Sequence, residues 1–168
     1  ENKDITSGIP SKRFPFPKEV ILPLSQHIGV PAKALVKAGD HVERGDVIAQ
    51  ADGFISSTVH ATAAGTVRSI ELWPHPNGQM VPSIRITVDP NSSQMRRNRM
   101  VPRWQDVKDT ELSKEIAKAG IVGLGGAAFP SHVKLCPPKD QPIELLLING
   151  CECEPYLTSD HRVMLEQP

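Results

Sequence analysis

The sequence predicts an α+β, multi-domain chain, in which a small all-β domain precedes the start of an α/β domain. Three observations predict it. From about Ser25 to Pro90, short β-branched runs alternate with glycine turns, the spacing of a small sandwich or barrel. After residue 106 the texture becomes helix, glycine-rich loop, apolar run, acidic loop and helix, which is α/β order. A proline-rich opening and an arginine-rich stretch flank the all-β part. The chain is therefore read as an extended arm (1–24), an all-β domain (25–94), a basic linker (95–105) and a truncated α/β domain (106–168).

Composition narrows the function classes. A length of 168 residues suits one domain or two small ones. Acidic and basic residues balance at 19 each, so no net field points to nucleic acid. Three cysteines make no disulfide framework and suggest a reducing, cytosolic compartment. The longest apolar run, Leu145 to Ile148, is far short of the roughly 20 residues of a spanning helix, and no signal sequence opens the chain. Attachment to a membrane is therefore expected through a partner. The first residue is not methionine, and the last residues, "MLEQP", fall partway through a helical pattern. A piece of a longer polypeptide is expected.

Element by element, the prolines of "IPSKRFPFPKEVILPL" oppose helix and central strand, which predicts an extended arm lying on something else, with "EVIL" a short edge strand. Turns are expected at Gly39-Asp40, Gly45-Asp46, Asp52-Gly53 and Gly65, with a faint internal echo between "GDHVERGDVIAQ", which carries two Gly-Asp turns, and "HATAAGTVRSI", a shorter glycine-centred turn followed by a strand. Asn77-Gly78 predicts a type I′ hairpin turn, and "SIRITV" returns with period-two alternation. The four arginines of "MRRNRMVPRW" read as a solvated linker or a grip for a phosphate or acidic partner. In "DTELSKEIAKAG", Thr110 is an expected N-cap, Leu112 and Ile116 share a face, and Gly120 is the C′ stop. A short helical piece begins near Pro130. "IELLLI", Ile143 to Ile148, reads as a buried strand, and Ser159 or Asp160 as the cap of a last helix.

The glycine-turn texture of the all-β part resembles the barrel-sandwich hybrid fold of biotinyl and lipoyl carrier domains. Those carriers present a modifiable lysine at a hairpin tip, which aligns near Gly53-Phe54. There is no lysine between Lys37 and Lys108, so nothing there can be acylated and a carrier role is excluded.

Chemistry concentrates in two stretches. "GIVGLGGAAFPSHVK" holds four glycines within seven residues, then Phe-Pro and a lysine. It follows a helix and lacks the endings of the dinucleotide and P-loop fingerprints. It is either a helix C-cap with a tight turn or an anion nest, in which Gly123, Gly125 and Gly126 bare successive amides and Lys134 adds a cation. "CECEP" is a poor metal site, with Cys136 as a distant third thiolate. Its two glutamates are either solvated loop residues or contacts for something polar. The six histidines (27, 41, 60, 75, 132 and 161) share no ligand spacing, and His132 reads as a capping or surface residue.

Taken together, the two stretches carry a family resemblance. "GLGGAAFPSHVKL" resembles the "GRGGAGFPTGxKW" signature of the flavin-bearing, NADH-oxidising subunit of respiratory complex I, and "NGCECEPYLTSDHR" resembles that family's "NADESEPGTFKDR". With the barrel-sandwich segment before them, the chain resembles the N-terminal part of the RnfC family, a component of the Rnf ion-translocating electron transport complex. A cobalamin reductase of the propanediol-utilisation type shares the layout. A docking module without bound cofactor is the reading from a different class.

The RnfC resemblance implies a barrel-sandwich hybrid domain followed by the start of an α/β flavin/NADH-binding domain. It implies an FMN site on the backbone of Gly123, Gly125, Gly126 and Ala127, with Lys134 near the flavin or its phosphate. Asn149 and Glu152 would contact FMN, while Phe129 and Glu154 would face NADH. It further implies 4Fe-4S clusters outside these residues, partner subunits of a membrane complex, and a peripheral position on the cytoplasmic face of the bacterial inner membrane. The chain alone is expected to bind FMN weakly or not at all. Leu124, Ala128, Cys151 and Leu135 depart from the family pattern, which has arginine, glycine, aspartate and tryptophan there.

Overall fold

The computed structural model describes residues 2–95, 104–124, 127–138, 140 and 143–167. The chain divides into two compact units: Phe16–Asp140, and Glu1–Pro15 together with Gln141–Pro168.

The larger unit is built on antiparallel strands: β1 (Glu19–Pro23), β2 (Lys33–Ala34), β3 (His41–Val42), β4 (Val47–Gln50), β5 (Val59–His60), β6 (Gly65–Pro74) and β7 (Met80–Val88). One sheet has the order β1-β7-β6-β3 and a second the order β2-β4-β5. Apolar residues from both sheets form one core, including Leu22, Val42, Ile48, Val59, Val67, Ile84 and Ile86. Ile48, Ile84 and Ile86 are fully buried, each stabilising by roughly 1.5–3 kcal/mol. β1 lies at the sheet edge, as expected for "EVIL", and the edge is where Pro23 is tolerated. Its Glu19 carboxylate accepts from Arg68 at 2.6 Å and Arg85 at 2.7 Å. The Arg85 and Arg68 guanidiniums hold that carboxyl below its ordinary range.

The two expected Gly-Asp turns repeat one geometry. In "KAGD" and "ERGD" the Asp40 and Asp46 amides donate to the Lys37 and Glu43 carbonyls at 3.1 and 3.0 Å. The aspartate carboxylates accept back from the Lys37 and Glu43 amides at 2.9 and 2.8 Å. Gly39 and Gly45 sit at φ +92° and +96°, which the third position of a type II turn requires. Each glycine amide then donates to a carbonyl of the β-domain, Val67 and Ala61 respectively.

The β6–β7 turn differs from the type I′ expectation. Of Asn77 and Gly78 only Gly78 has a positive φ, +84°. The Gly78 amide donates to the His75 carbonyl at 2.9 Å. Pro76, with its fixed negative φ, therefore occupies the second position of a type I turn, and Gly78 takes the left-handed place after it.

Further along come a single 3₁₀ turn (Trp104–Asp106), α2 (Asp109–Lys118), β8 (Val122–Gly123), β9 (Phe129–Pro130) and α3 (Ser131–Lys134). α2 starts one residue before the expected cap, so Thr110 lies inside it. Lys108 is the N-cap and makes no side-chain capping bond. Leu112 and Ile116 are half-buried, as their shared face predicts. Gly120 at φ +69° ends the helix in the left-handed conformation that favours glycine. The arginine grip expected at 96–103 lies outside the described residues.

The smaller unit contains α1 (Asp4–Ser7) and α4 (Ser159–Glu166). The expected extended arm thus carries one helical turn, made possible because its prolines begin only at Pro10. Its first residues bond to the C-terminal segment of the same unit. Lys3 Nζ donates to the Glu152 and Leu157 carbonyls, Thr6 Oγ1 to the Tyr156 carbonyl, and the Ser11 amide to Glu166.

The expected buried strand at 143–148 is a correction: those residues form no ladder, and Leu145, Leu146, Leu147 and Ile148 are 71–86% exposed. An apolar run becomes a strand only where neighbouring strands satisfy its amides, and no described strand pairs with it.

Candidate functional site

The glycine-rich stretch folds as a tight ladder. β8 pairs antiparallel with β9, Val122 opposite Pro130 and Gly123 opposite Phe129. Pro130 is fully buried and anchors the far strand. Gly125 and Gly126 lie outside the described residues. Ala127 and Ala128 follow with φ of +51° and +48°, a conformation costly for a residue with a Cβ. Ala128 occupies the position where the complex I signature has glycine, so the departure noted in the sequence falls on a backbone that would favour glycine.

Gly123 is not required by internal packing. Among the described residues, a Cβ added there would meet only the Phe129 carbonyl oxygen, at an ordinary contact distance of 3.8 Å. Lys134 closes α3 with its side chain exposed and no charged partner among the described residues. A glycine edge followed by an uncommitted cation suits a phosphate-bearing ligand. Gly123, Phe129 and Lys134 are thus brought together on one ladder and the helix that follows it.

Three other predicted residues, Asn149, Glu152 and Glu154, belong to the smaller unit. Asn149 Oδ1 accepts from the Cys151 amide at 2.8 Å, shaping the loop. Glu154 is exposed, and its carbonyl accepts from the Leu157 amide. Glu152 has a different occupation. Its Oε1 accepts from the Asp160 amide at 2.5 Å and the His161 amide at 3.3 Å. Its Oε2 lies 3.7 Å from Lys3 Nζ, and the side chain is 5% exposed. Glu152 therefore caps α4 from a distance, filling the role expected of Ser159 or Asp160; α4 has Thr158 as its N-cap, with no side-chain bond of its own. A cleft of about 490 Å³ opens beside it, lined by Lys3, Cys151, Glu152, Thr158, His161 and Met164 among others.

Sequence reasoning missed Lys3, whose three bonds to the acidic loop cross roughly the whole chain and leave no local signal. It also gave too little to His132, which bonds across to the β-domain at Phe54. Its place inside the glycine motif was the available hint. A second cavity of about 180 Å³ lies between the ladder and that domain, lined by His27, Ser57, Thr58, His60, Val122 and Leu124 among others. Among the described residues no cluster of histidine, cysteine, aspartate or glutamate could hold a metal ion. Cys136, Cys151 and Cys153 are exposed thiols, and among the described residues no helix is long and apolar enough to cross a membrane.

Comparison with known proteins finds a match for each of two segments of the chain. A family profile described as the RnfC barrel sandwich hybrid domain matches residues 1–91, and one described as the Nuo51 FMN-binding domain matches residues 116–168. The C component of the proton-translocating ferredoxin:NAD(+) oxidoreductase complex of Clostridium ljungdahlii is 40% identical over 99% of this chain and 36% of its own length. Its Na(+)-translocating counterpart from Acetobacterium woodii is 40% identical over 98% of this chain and 37% of its own. The C component of the ion-translocating oxidoreductase complex of Haemophilus influenzae is 36% identical over 99% of this chain and 20% of its own. The chain thus spans between 20% and 37% of the length of these curated relatives. With a barrel-sandwich domain leading into the start of an FMN-binding domain, it belongs to the RnfC family.

Proposed function

We propose that this chain is part of an electron-transfer subunit of an Rnf-type, membrane-bound, ion-translocating oxidoreductase, which passes electrons between NADH, FMN and iron–sulfur clusters. The single observation carrying the reading is that the stretch matching an FMN-binding domain holds a glycine edge with room for a Cβ at Gly123 and an exposed lysine just beyond it that has no charged partner among the described residues. FMN, when bound, accepts two electrons as hydride and releases them singly. The chain's own residues bind and orient. The backbone of Gly123, Gly125, Gly126 and Ala127 holds the phosphate end, and Lys134 neutralises its charge. Asn149 and Glu152 contact the flavin, while Phe129 and Glu154 face the nicotinamide nucleotide. Glu152 must do so while capping α4, so its part is to set the loop as much as to touch a ligand.

The 4Fe-4S clusters belong to other residues of the intact subunit. Its partners are the other members of the complex, and its place is peripheral, on the cytoplasmic face. The relatives' names favour this reading over the cobalamin reductase.

NADH titration of the intact subunit tests it. The visible flavin band should bleach stoichiometrically, and Lys134→Ala and Glu154→Ala should lose NADH oxidation while the complex still assembles. Lost assembly with an unbleached flavin-free subunit would instead indicate a docking module.

A further inference from the structure

The β8–β9 ladder is gripped on both flanks by one strip of the β-domain, residues 54–60. At the α2 flank, Gly120 lies so close to the Thr58 carbonyl oxygen that a Cβ would collide with it, and that Cβ would stand 3.3 Å from His60 Nδ1. At the α3 flank, His132 Nε2 donates to the Phe54 carbonyl oxygen at 3.2 Å, and the two rings meet edge to face with centroids 6.4 Å apart. A carbonyl only accepts, so this contact keeps a proton on Nε2.

The strip is itself firmly held. Ser56 is fully buried; its hydroxyl donates to the Val30 carbonyl at 2.8 Å and accepts from the Asp52 amide at 3.0 Å. The Val30 amide donates to the Ile55 carbonyl at 3.0 Å. The Ser57 amide donates to Nε2 of buried His27 at 3.2 Å, which leaves the His27 Nδ1 proton for the Ile28 carbonyl at 3.1 Å. Every polar group named here is bonded, and such a network is stiff.

We propose that residues 54–60 are a positioning device for the flavin site. The strip fixes Gly120 and His132 relative to each other, and so fixes the ladder strung between them. This gives the barrel-sandwich domain a role in cofactor binding, and it rests on the FMN reading above. Phe54 and His132 are positioning residues and touch no reacting atom.

The test uses the intact subunit. His132→Leu removes the donor, while His132→Gln keeps an N–H of similar reach. His132→Leu should weaken FMN binding about tenfold, the scale of one lost hydrogen bond. His132→Gln should restore binding to within about threefold, on the same scale. Gly120→Ala should behave like His132→Leu. Wild-type FMN affinity in both His132→Leu and Gly120→Ala overturns the proposal. Should the wild-type subunit bind no FMN, the FMN reading fails, and amide exchange at 121–124 and 127–131 decides the rest. Faster exchange in His132→Leu supports the strip as the ladder's support, and unchanged exchange overturns it. Thermal unfolding of the β-domain, unaltered in His132→Leu, separates loss of position from loss of fold.

Discussion

The two units hold themselves together by different means. Phe16–Asp140 closes on an apolar core with Ile48, Ile84 and Ile86 at 0% exposure. In the smaller unit, among the described residues, only Thr158 is buried, while Leu145 to Ile148 stand open. What joins its two segments is polar: Lys3 to the acidic loop, Thr6 to Tyr156, Ser11 to Glu166, and Arg162 to the Ser7 carbonyl. Exposed polar ties of this kind are individually weak. Among the described residues, one unit is held by burial and the other by a small set of directed bonds.

The largest expected effect tests that contrast directly. Ile84→Ala should destabilise the β-domain by about 3 kcal/mol, through lost transfer energy and a cavity in a core that cannot collapse freely. Leu147→Ala, at 82% exposure, should change the stability of the 168-residue chain by no more than about 0.5 kcal/mol. Urea unfolding followed by circular dichroism measures both. Equal losses would mean that the apolar run is covered after all.

Next in size are the twin turns. Gly39→Ala and Gly45→Ala each place a Cβ at φ above +90°, which should cost about 1–2 kcal/mol apiece. Because the turns share their bonding, the two losses should agree closely. A large disparity would show that the repeat is one of backbone shape and not of energy.

This contrast also explains what could be read from the sequence. The β-domain was legible because its signals are local: Gly-Asp at each turn, alternation in "SIRITV", and Gly120 at the helix stop. The hairpin type was misjudged only because Pro76 overrode Asn77-Gly78. The smaller unit was less legible because its determinants are distant. Nothing near Glu152 announces that its carboxylate caps α4 eight and nine residues further on, or that Lys3 will bond it. The run at 143–148 shows the limit of periodicity: apolar content marks what wants burial and cannot supply the neighbours. At the candidate site, the glycines and Lys134 were visible as types in a pattern, whereas the strip at 54–60 that grips their flanks was not.

Glu152→Ala sharpens the comparison from the other side. Removing the distant cap should destabilise α4 by about 1 kcal/mol, read as faster exchange of the Asp160 and His161 amides, with the unfolding midpoint of the β-domain unmoved. Glu152→Gln keeps an acceptor for those amides and loses the attraction to Lys3, so it should fall between. A shift of the β-domain midpoint would show that the units do not respond separately.

The smallest expected effect is a pH dependence confined to the polar ties. The Ser11 amide, and after it the Arg162 guanidinium, lower the Glu166 carboxyl from an ordinary 4.5 to about 2. A carboxyl held lower in the folded state stabilises most when ionised. Its contribution is fully present above 4.5 and is lost as pH falls through about 2. Acidification across that window should therefore release the Ser11 amide to exchange and free the arm from α4, while Glu166→Gln, which cannot ionise, should show no such step. Glu19 is lowered too, by Arg85 and Arg68, but it sits on a strand already held by five ladder pairs with β7. The β1 amides should stay protected where Ser11 does not. Simultaneous loss of both would mean that the two units share one acid transition, and that the distinction between burial and directed bonds does not govern how this chain comes apart.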